Sequence, residues 1–494
     1  MTRLHPVSLP QPIDDSTAFF ARNNRIMKNP IRVTILFVFA LAHAWVLAQT
    51  TTTLPPEFEA ALARAKVPRE AVTVLVVDAD GANAPRIAHR AQVPVNPASV
   101  MKLVTTYAAL DQLGPAFTWR TPVFADGIIK DGVLNGNLYI KGQGDPKLVV
   151  ERLWLLLRRV QGLGIGQVKG DIVLDRSAFA DALNDPADFD GEPLRPYNAS
   201  PDALLLNFKA LVVNFVPDRP AGVAYVQIEP PLSGVQVPAS VGLSSAECGD
   251  WRTALKADFS DPNRLRFAGS YPANCGERTW PVAYAEPRSH AVRAVAGLWS
   301  EMGGKLTGVV REGTVPLSLK PVLEISSSPL LDAVRDINKY SNNVMAQQLF
   351  LTLGLLGNSQ ASLDTARVWM RQWWQGRFGD ADTPVFDNGS GLSRKERISA
   401  QALGRMLQTV WGSSVMPELM SSLPVTGVDG TMKRSKAKTS AHLKTGTLRD
   451  VAAIAGYVHA ASGKRYVLVA IANHPNAGAA RPAFDALIDW VARD

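Results

Sequence analysis

The chain is poor in the residues that build metal centres. Its 494 residues include two cysteines and seven histidines, the latter scattered at positions 5, 43, 89, 290, 442, 459 and 474. No metal-ligand spacing arises from them, so neither a metal nor a cofactor is expected. Blocks of like charge are missing too. The 52 basic and 44 acidic side chains give a formal net charge of +8 with no run of five or more of one sign, which argues against a nucleic-acid partner. The excess supports solubility and a weak attraction to an anionic membrane or envelope surface. Two glycine signatures are also lacking. The stretch 162–170 (GLGIGQVKG) does not have the G-x-G-x-x-G spacing and follows a helical pattern instead of opening one, so it reads as a helix end and turn. Gly389-Ser390-Gly391 lacks the G-x-S-x-G spacing of a nucleophile elbow, which leaves Ser390 in a tight loop.

A long apolar run is present only at the N-terminus. Arg22, Arg25, Lys28 and Arg32 precede residues 33–48 (VTILFVFALAHAWVLA), a basic region followed by about 16 apolar residues and small residues near Ala48. This pattern predicts a secretory signal cleaved after Ala48, with Met27 as an alternative start. It falls short of the ~20 residues that a comfortable membrane span needs. Export places Cys248 and Cys275 in an oxidising compartment, where a disulfide is expected in preference to two free thiols.

Beyond the signal, periodicity predicts a helix from Pro55 to Ala65, a strand over 72–80 (VTVLVVDAD), a weaker strand near Ile87 and a helix ending at about Leu113. The far end mirrors this with strands at 441–447, 451–459 and 466–473 and a closing helix at 481–491. Two N-terminal and three C-terminal strands make one antiparallel five-stranded sheet flanked by helices, an α/β (α+β) fold. Its halves, 49–113 and 326–494, are interrupted by 114–325, which alternates short strand-like runs with turns around one helix at 146–161. That insertion is expected to form a large β-rich region of two small domains. Helices resume at Ser328-Pro329, where a serine cap and a proline at the first helical position mark a start.

Ser99-Val-Met-Lys102 opens the helix after the second strand. A serine hydroxyl attacks a carbonyl only when a base takes its proton, and residues i and i+3 of a helix share a face. A buried lysine near other cations is partly neutral and can serve as that base. The Ser99 N–H, among the unpaired amides of a first turn, is positioned to meet an oxyanion. S-x-x-K alone is weak, since it occurs again at Ser435 and Lys438 in a charged stretch with no apolar face. Ser341-Asn342-Asn343 is the chain's only S-x-N, and Lys444-Thr445-Gly446 its only K-T-G, with Thr447 following. The first sits between two helical patterns and the second on a strand.

These three motifs, in this order, are the signature of penicillin-binding proteins and class A β-lactamases. The 238 residues between Lys102 and Ser341 make the chain resemble the low-molecular-mass class C penicillin-binding proteins, the serine-type D-alanyl-D-alanine carboxypeptidase/endopeptidase family. Stretches at 141–146 (KGQGDP), 386–394 (FDNGSGLSR) and 423–432 (LPVTGVDGTM) extend the likeness along the mature chain.

The resemblance implies a β-lactamase/transpeptidase-like fold and a periplasmic enzyme. It implies action on peptidoglycan stem peptides through an acyl-enzyme on Ser99, with β-lactam antibiotics as covalent inhibitors. Lys102 is then the base, and Ser341 relays a proton to the leaving amine. Asn343 orients Lys102 and the substrate, and Lys444 supplies positive charge. Thr445 and Thr447 meet the substrate carboxylate, Gly446 admits the substrate backbone, and the Thr447 N–H is the second oxyanion donor. The segment 174–179 (LDRSAF) is similar to the one that faces the diaminopimelate amine, which makes Asp175 a candidate for that role or else a turn carboxylate. Phe179 and Arg394 are further pocket wall, and Arg449 puts a charge at the rim. The alternatives are a β-lactamase or esterase with the same Ser/Lys pair, and a non-catalytic peptidoglycan-binding protein of this fold.

Overall fold

Alternation splits the strand Val72–Asp78 between two cores. Val72, Val74 and Val76 enter one hydrophobic cluster and Leu75 and Val77 another, and all five are buried. A strand buried on both faces lies inside a sandwich of layers, and β-branched residues suit it. The computed structural model describes residues 53–180 and 185–494. The expected export signal and its cleavage after Ala48 lie outside the described residues. No described helix is long and apolar enough to cross a membrane.

The sheet around this strand is antiparallel throughout, in the order Ala441–Leu448, Val451–His459, Arg465–Asn473, Val72–Asp78, Ile87–His89. Both ends of the chain therefore meet in one sheet, as expected, with Val74 opposite Ala470. The helices Pro56–Arg64 and Arg481–Ala492 cover one face through Phe58, Leu62, Phe484 and Leu487. The other face carries the helices Lys102–Leu113, Leu330–Tyr340, Asn343–Gly354 and Ala400–Trp411. Buried Tyr457 bolts this second layer down by donating its hydroxyl to the Leu407 carbonyl at 2.7 Å.

Between the halves of this body the chain builds further sheets. One runs Val310–Glu312, Ile172–Asp175, Leu138–Lys141, Arg120–Ala125, Leu323–Ser326, and another Tyr271–Pro272, Ser240–Ser244, Val223–Glu229, Ala210–Asp218, Arg278–Ala283. Their inward side chains, among them Ile172, Leu211 and Phe215, share with Trp299 of the helix His290–Glu301 a hydrophobic cluster separate from those of the first sheet. Cys248 and Cys275 are joined in a disulfide beside this cluster, their Cα atoms 4.8 Å apart.

Two helix starts differ from expectation. The helix expected from 146 begins at Val150, because Leu148 pairs with Leu206 in a β-bridge. Ser328 does not cap the next helix. Pro329 takes the cap position of Leu330–Tyr340, and no side chain bonds the first-turn amides.

Candidate active site

Ser99 is held in place by the residues before it. The Asn96 N–H donates to Asn473 Oδ1 and the Asn473 amide returns a bond to the Asn96 carbonyl, both at 2.9 Å. The Asn96 side chain donates to the Ser393 carbonyl and accepts from the Ala98 N–H, again at 2.9 Å. This clamp drives Ala98 to φ +46°, a left-handed conformation that costs an alanine roughly 1 kcal/mol. Ala98–Met101 then form a 3-10 turn, and the α-helix begins only at Lys102. Three residues per turn eclipse positions i and i+3, so Ser99 and Lys102 stand in line. Lys102 Nζ lies 2.9 Å from Ser99 Oγ.

Lys102 is fully buried and has two other partners. Nζ donates to Asn343 Oδ1 at 2.6 Å and to the Ser390 carbonyl. Burial, joined by the neighbouring charge of Lys444, holds this amine well below the ordinary lysine range, while Glu396 opposes the shift. In the neutral form its two N–H groups are taken by acceptors that cannot donate. Its lone pair is then left for the Ser99 hydroxyl proton.

Asn343 reaches Lys102 because of a two-residue joint. Ser341 ends the first helix at φ +59°, and the Asn342 side chain caps the second by accepting from the Met345 N–H at 3.0 Å. Asn342 is therefore the N-cap. The joint turns Ser341 Oγ toward Lys444 Nζ at 2.9 Å and Asn343 toward Lys102. The Asn343 amide also donates to the Tyr197 carbonyl at 3.3 Å, a contact from the inserted region.

Lys444 lies on the edge strand of the sheet, fully buried, and also donates to the Thr445 carbonyl at 2.7 Å. Burial lowers this lysine to about 7. The first half of the free edge is covered, since the Leu443 N–H donates to the Pro424 carbonyl at 2.9 Å and Ala441 accepts from the Thr426 N–H at 3.1 Å. Backbone direction alternates along a strand, so the N–H and C=O groups of Thr445 and Thr447 point to the same edge. A β-carbon on Gly446 would stand 2.5 Å from the Pro97 carbonyl oxygen and 3.1 Å from the Ser99 nitrogen. Only glycine lets this strand approach the Ser99 turn so closely.

The loop behind Lys102 was not legible as part of the site. Glu396, fully buried, accepts from the N–H groups of Asp387, Asn388 and Gly389 at 3.3, 3.2 and 2.8 Å. This holds the loop so that Thr105 Oγ1 bonds the Gly389 carbonyl at 2.7 Å and Lys102 bonds that of Ser390. Burial pushes the Glu396 carboxyl up to about 7. Ser390 does sit in a tight loop, and its carbonyl, which no sequence motif marks, faces Lys102.

The pocket-wall candidates are not brought together with this cluster. Asp175 is 1% exposed, accepts from the N–H groups of Ser177 and Val315 at 2.9 Å each, and lies 3.8 Å from Lys141 Nζ. With its oxygens so engaged it has the contacts of a turn carboxylate of the insert, one of the two readings its sequence allowed. Phe179 is a packing residue: it is buried in the helical core, its backbone bridged to Ala361. Arg394 pairs with Asp450 at 2.7 Å and lies over the Phe189 ring at 4.9 Å, beside the turn that ends the edge strand. Exposed Arg449 is in that same turn. The second S-x-x-K is unrelated to the cluster. Ser435 Oγ donates to Asp485 at 2.6 Å and the Lys438 N–H to Asp489 at 2.8 Å, tying their loop to the closing helix. No three His, Cys, Asp or Glu side chains among the described residues are grouped to hold a metal ion.

Comparison with known proteins gives matches along most of the chain. The profile of the D-Ala-D-Ala carboxypeptidase 3 (S13) family matches residues 56–494. The D-alanyl-D-alanine carboxypeptidase DacB of Haemophilus influenzae is 26% identical over 392 residues, covering 77% of this chain and 81% of its own. A D-alanyl-D-alanine carboxypeptidase of an Actinomadura strain is 28% identical over 410 residues, 78% of this chain and 74% of its own. The crystal structure of penicillin binding protein 4 (dacB) from Haemophilus influenzae superposes with a TM-score of 0.69 at 22% identity, over 87% of this chain and 99% of that one. The same protein has been solved in complex with a β-lactam, and that structure superposes with a TM-score of 0.66.

Proposed function

The chain belongs to the D-Ala-D-Ala carboxypeptidase 3 (S13) family, and from that premise we propose that Ser99 is the nucleophile of an acyl-enzyme mechanism on peptidoglycan stem peptides. One observation carries the reading. Lys102 Nζ stands 2.9 Å from Ser99 Oγ while its remaining partners, Asn343 Oδ1 and the Ser390 carbonyl, only accept.

Neutral Lys102 takes the Ser99 proton as Oγ bonds the carbonyl carbon of the penultimate D-Ala. The Ser99 and Thr447 N–H groups meet the oxyanion. The tetrahedral intermediate then expels the terminal D-Ala nitrogen, which receives the proton held on Lys102 by way of the Ser341 hydroxyl, itself hydrogen-bonded to Lys444, and Lys102 is neutral again. Water, deprotonated by Lys102, attacks the ester, and the proton returns from Lys102 to Ser99 Oγ as the acyl group leaves. Thr445 and Thr447 flank the carboxylate of the leaving residue.

A D-Ala to diaminopimelate cross-link presents the same D-alanyl carbonyl and a free carboxylate beside the leaving nitrogen. The site therefore supports endopeptidase action as well. The basic, apolar N-terminus supports export to the periplasm, and the separate sheets of 114–325 support an inserted module within one catalytic body. A β-lactam ring, whose carbonyl enters the same attack, acylates Ser99 and blocks it.

Labelled penicillin tests the assignment. Wild-type protein is expected to take up label covalently and Ser99→Ala to take up none. Label retained by the variant would place the nucleophile elsewhere. Mass spectrometry of monomeric and cross-linked muropeptides after incubation measures the two hydrolytic activities, and a chromogenic cephalosporin turned over rapidly would point to a β-lactamase instead.

A further inference from the structure

The edge strand has a second side. Lys444 and Gly446 face the Ser99 turn, and the Thr445 and Thr447 side chains face the layer of the closing helix Arg481–Ala492. There a cavity of about 540 Å³ opens, walled by Thr445 and Thr447, by Thr431 and Met432 from the preceding loop, and by Phe484 and Ile488. Ligand pockets span about 300–1,000 Å³. This one is sized for a body far larger than a single alanine.

Its charge is one-sided. Arg481, the first residue of the closing helix, lines the cavity and makes no ion pair or hydrogen bond among the described residues. Lys433 and Arg434 line it too, and all three basic residues are exposed. The acid in the wall, Asp485, is engaged: its two oxygens accept from Ser435 Oγ at 2.6 Å and from the Lys436 N–H at 3.1 Å. A guanidinium without a partner, beside two threonine hydroxyls and an apolar floor, suits a carboxylate borne on a larger, partly apolar group.

We propose that Arg481 binds the free carboxylate of the leaving residue, and that the cavity behind Thr445 and Thr447 receives the rest of that leaving group, which in a cross-link is a second stem peptide. This rests on the acyl-enzyme reading above and adds a specificity determinant to it. Arg481 touches none of the reacting atoms. Its contribution is the same before and during bond breaking, so it enters KM more than kcat.

The test compares a stem pentapeptide, its C-terminal carboxamide and a cross-linked muropeptide dimer on wild type, Arg481→Gln and Arg481→Lys. Wild type is expected to prefer the acid over the amide. Arg481→Gln should lose roughly ten- to a hundredfold in kcat/KM on the acid and on the dimer, mostly through KM, and should barely distinguish acid from amide. Arg481→Lys should recover part of the preference, which a merely structural role would not predict. Arg481→Gln with the wild-type ratio of acid to amide overturns the assignment of Arg481. Loss on the pentapeptide alone, with the dimer cleaved as by wild type, overturns the assignment of the cavity to the cross-linked leaving group. Wild-type protein that releases no D-alanine and is not acylated by penicillin overturns the underlying reading, and this one with it.

Discussion

Gly446 and Pro97 are in backbone contact across the mouth of the site: a β-carbon at 446 would meet the Pro97 carbonyl oxygen at 2.5 Å. Gly446→Ala must therefore push the edge strand away from the Ser99 turn. Since a misplacement of about 1 Å costs roughly a hundredfold in rate, penicillin acylation should slow by about that factor while the protein remains folded. Stopped-flow acylation alongside circular dichroism checks this. A variant acylated at the wild-type rate would show that the approach of strand and turn does not set the geometry.

Lys102 is buried and shares its surroundings with Lys444. Lys102→Met removes the base and, with it, a buried amine that is costly to charge. Acylation should fall roughly 10²–10⁴-fold. Thermal stability should hold or rise, because replacing a buried ionisable group by an apolar one of similar volume is often neutral or stabilising. Unfolding of the variant at room temperature would count against this account.

The pH profile has a worked sign. The productive form has Lys102 neutral and Lys444 charged. Burial holds Lys102 well below the ordinary lysine range, so its base form is available at lower pH than for an exposed lysine. Lys444, lowered by burial to about 7, loses its charge as the pH rises through that value. The kcat/KM for a D-Ala-D-Ala peptide should therefore decline above about pH 7. Lys444→Arg, always charged, should push that decline to higher pH. A profile unchanged by this substitution would assign the alkaline limb to another group.

Glu396 links stability to pH. Its carboxyl is raised by burial from 4.5 to about 7, so the folded protein keeps a proton that the unfolded chain releases near 4.5. The stability from this group is fully present below about 4.5 and is lost as the pH climbs through about 7. The change is on the order of 3 kcal/mol. Urea unfolding at pH 5 and pH 8 should show wild type losing stability relative to Glu396→Gln over that interval. Equal pH dependence of the two proteins would rule this out.

The disulfide offers a contrast. Cys248 and Cys275 close a loop with a sequence separation of 27, remote from the Ser99 sheet. Replacing both by serine should cost the protein roughly 3–4 kcal/mol in the chain-entropy model. Penicillin acylation of the surviving folded fraction should keep its rate. A matching loss of acylation rate would mean that the insert's packing reaches the site.

Much of this protein was legible because its information is local. Hydrophobic alternation placed Val72–Asp78 and the three C-terminal strands, and their number at each end required one shared sheet. Ser99, Lys102, Ser341, Asn343 and Lys444 stood out because each belongs to a short motif with its own spacing, and the two cysteines had only each other to pair with. What surrounds Lys102 was hidden, since the Ser390 carbonyl belongs to a backbone that every residue has, and Glu396 acts through three amides of a loop. Ser328 misled for the same reason. A residue type suggests a role, and the neighbours brought by the fold decide whether its oxygens are free to play it. Local pattern thus determined the strands, the motifs and their order. The tertiary structure alone decided which groups face Lys102, how closely Gly446 approaches Pro97 and which side chains share the cavity behind Thr445, because those are contacts between segments far apart in the sequence.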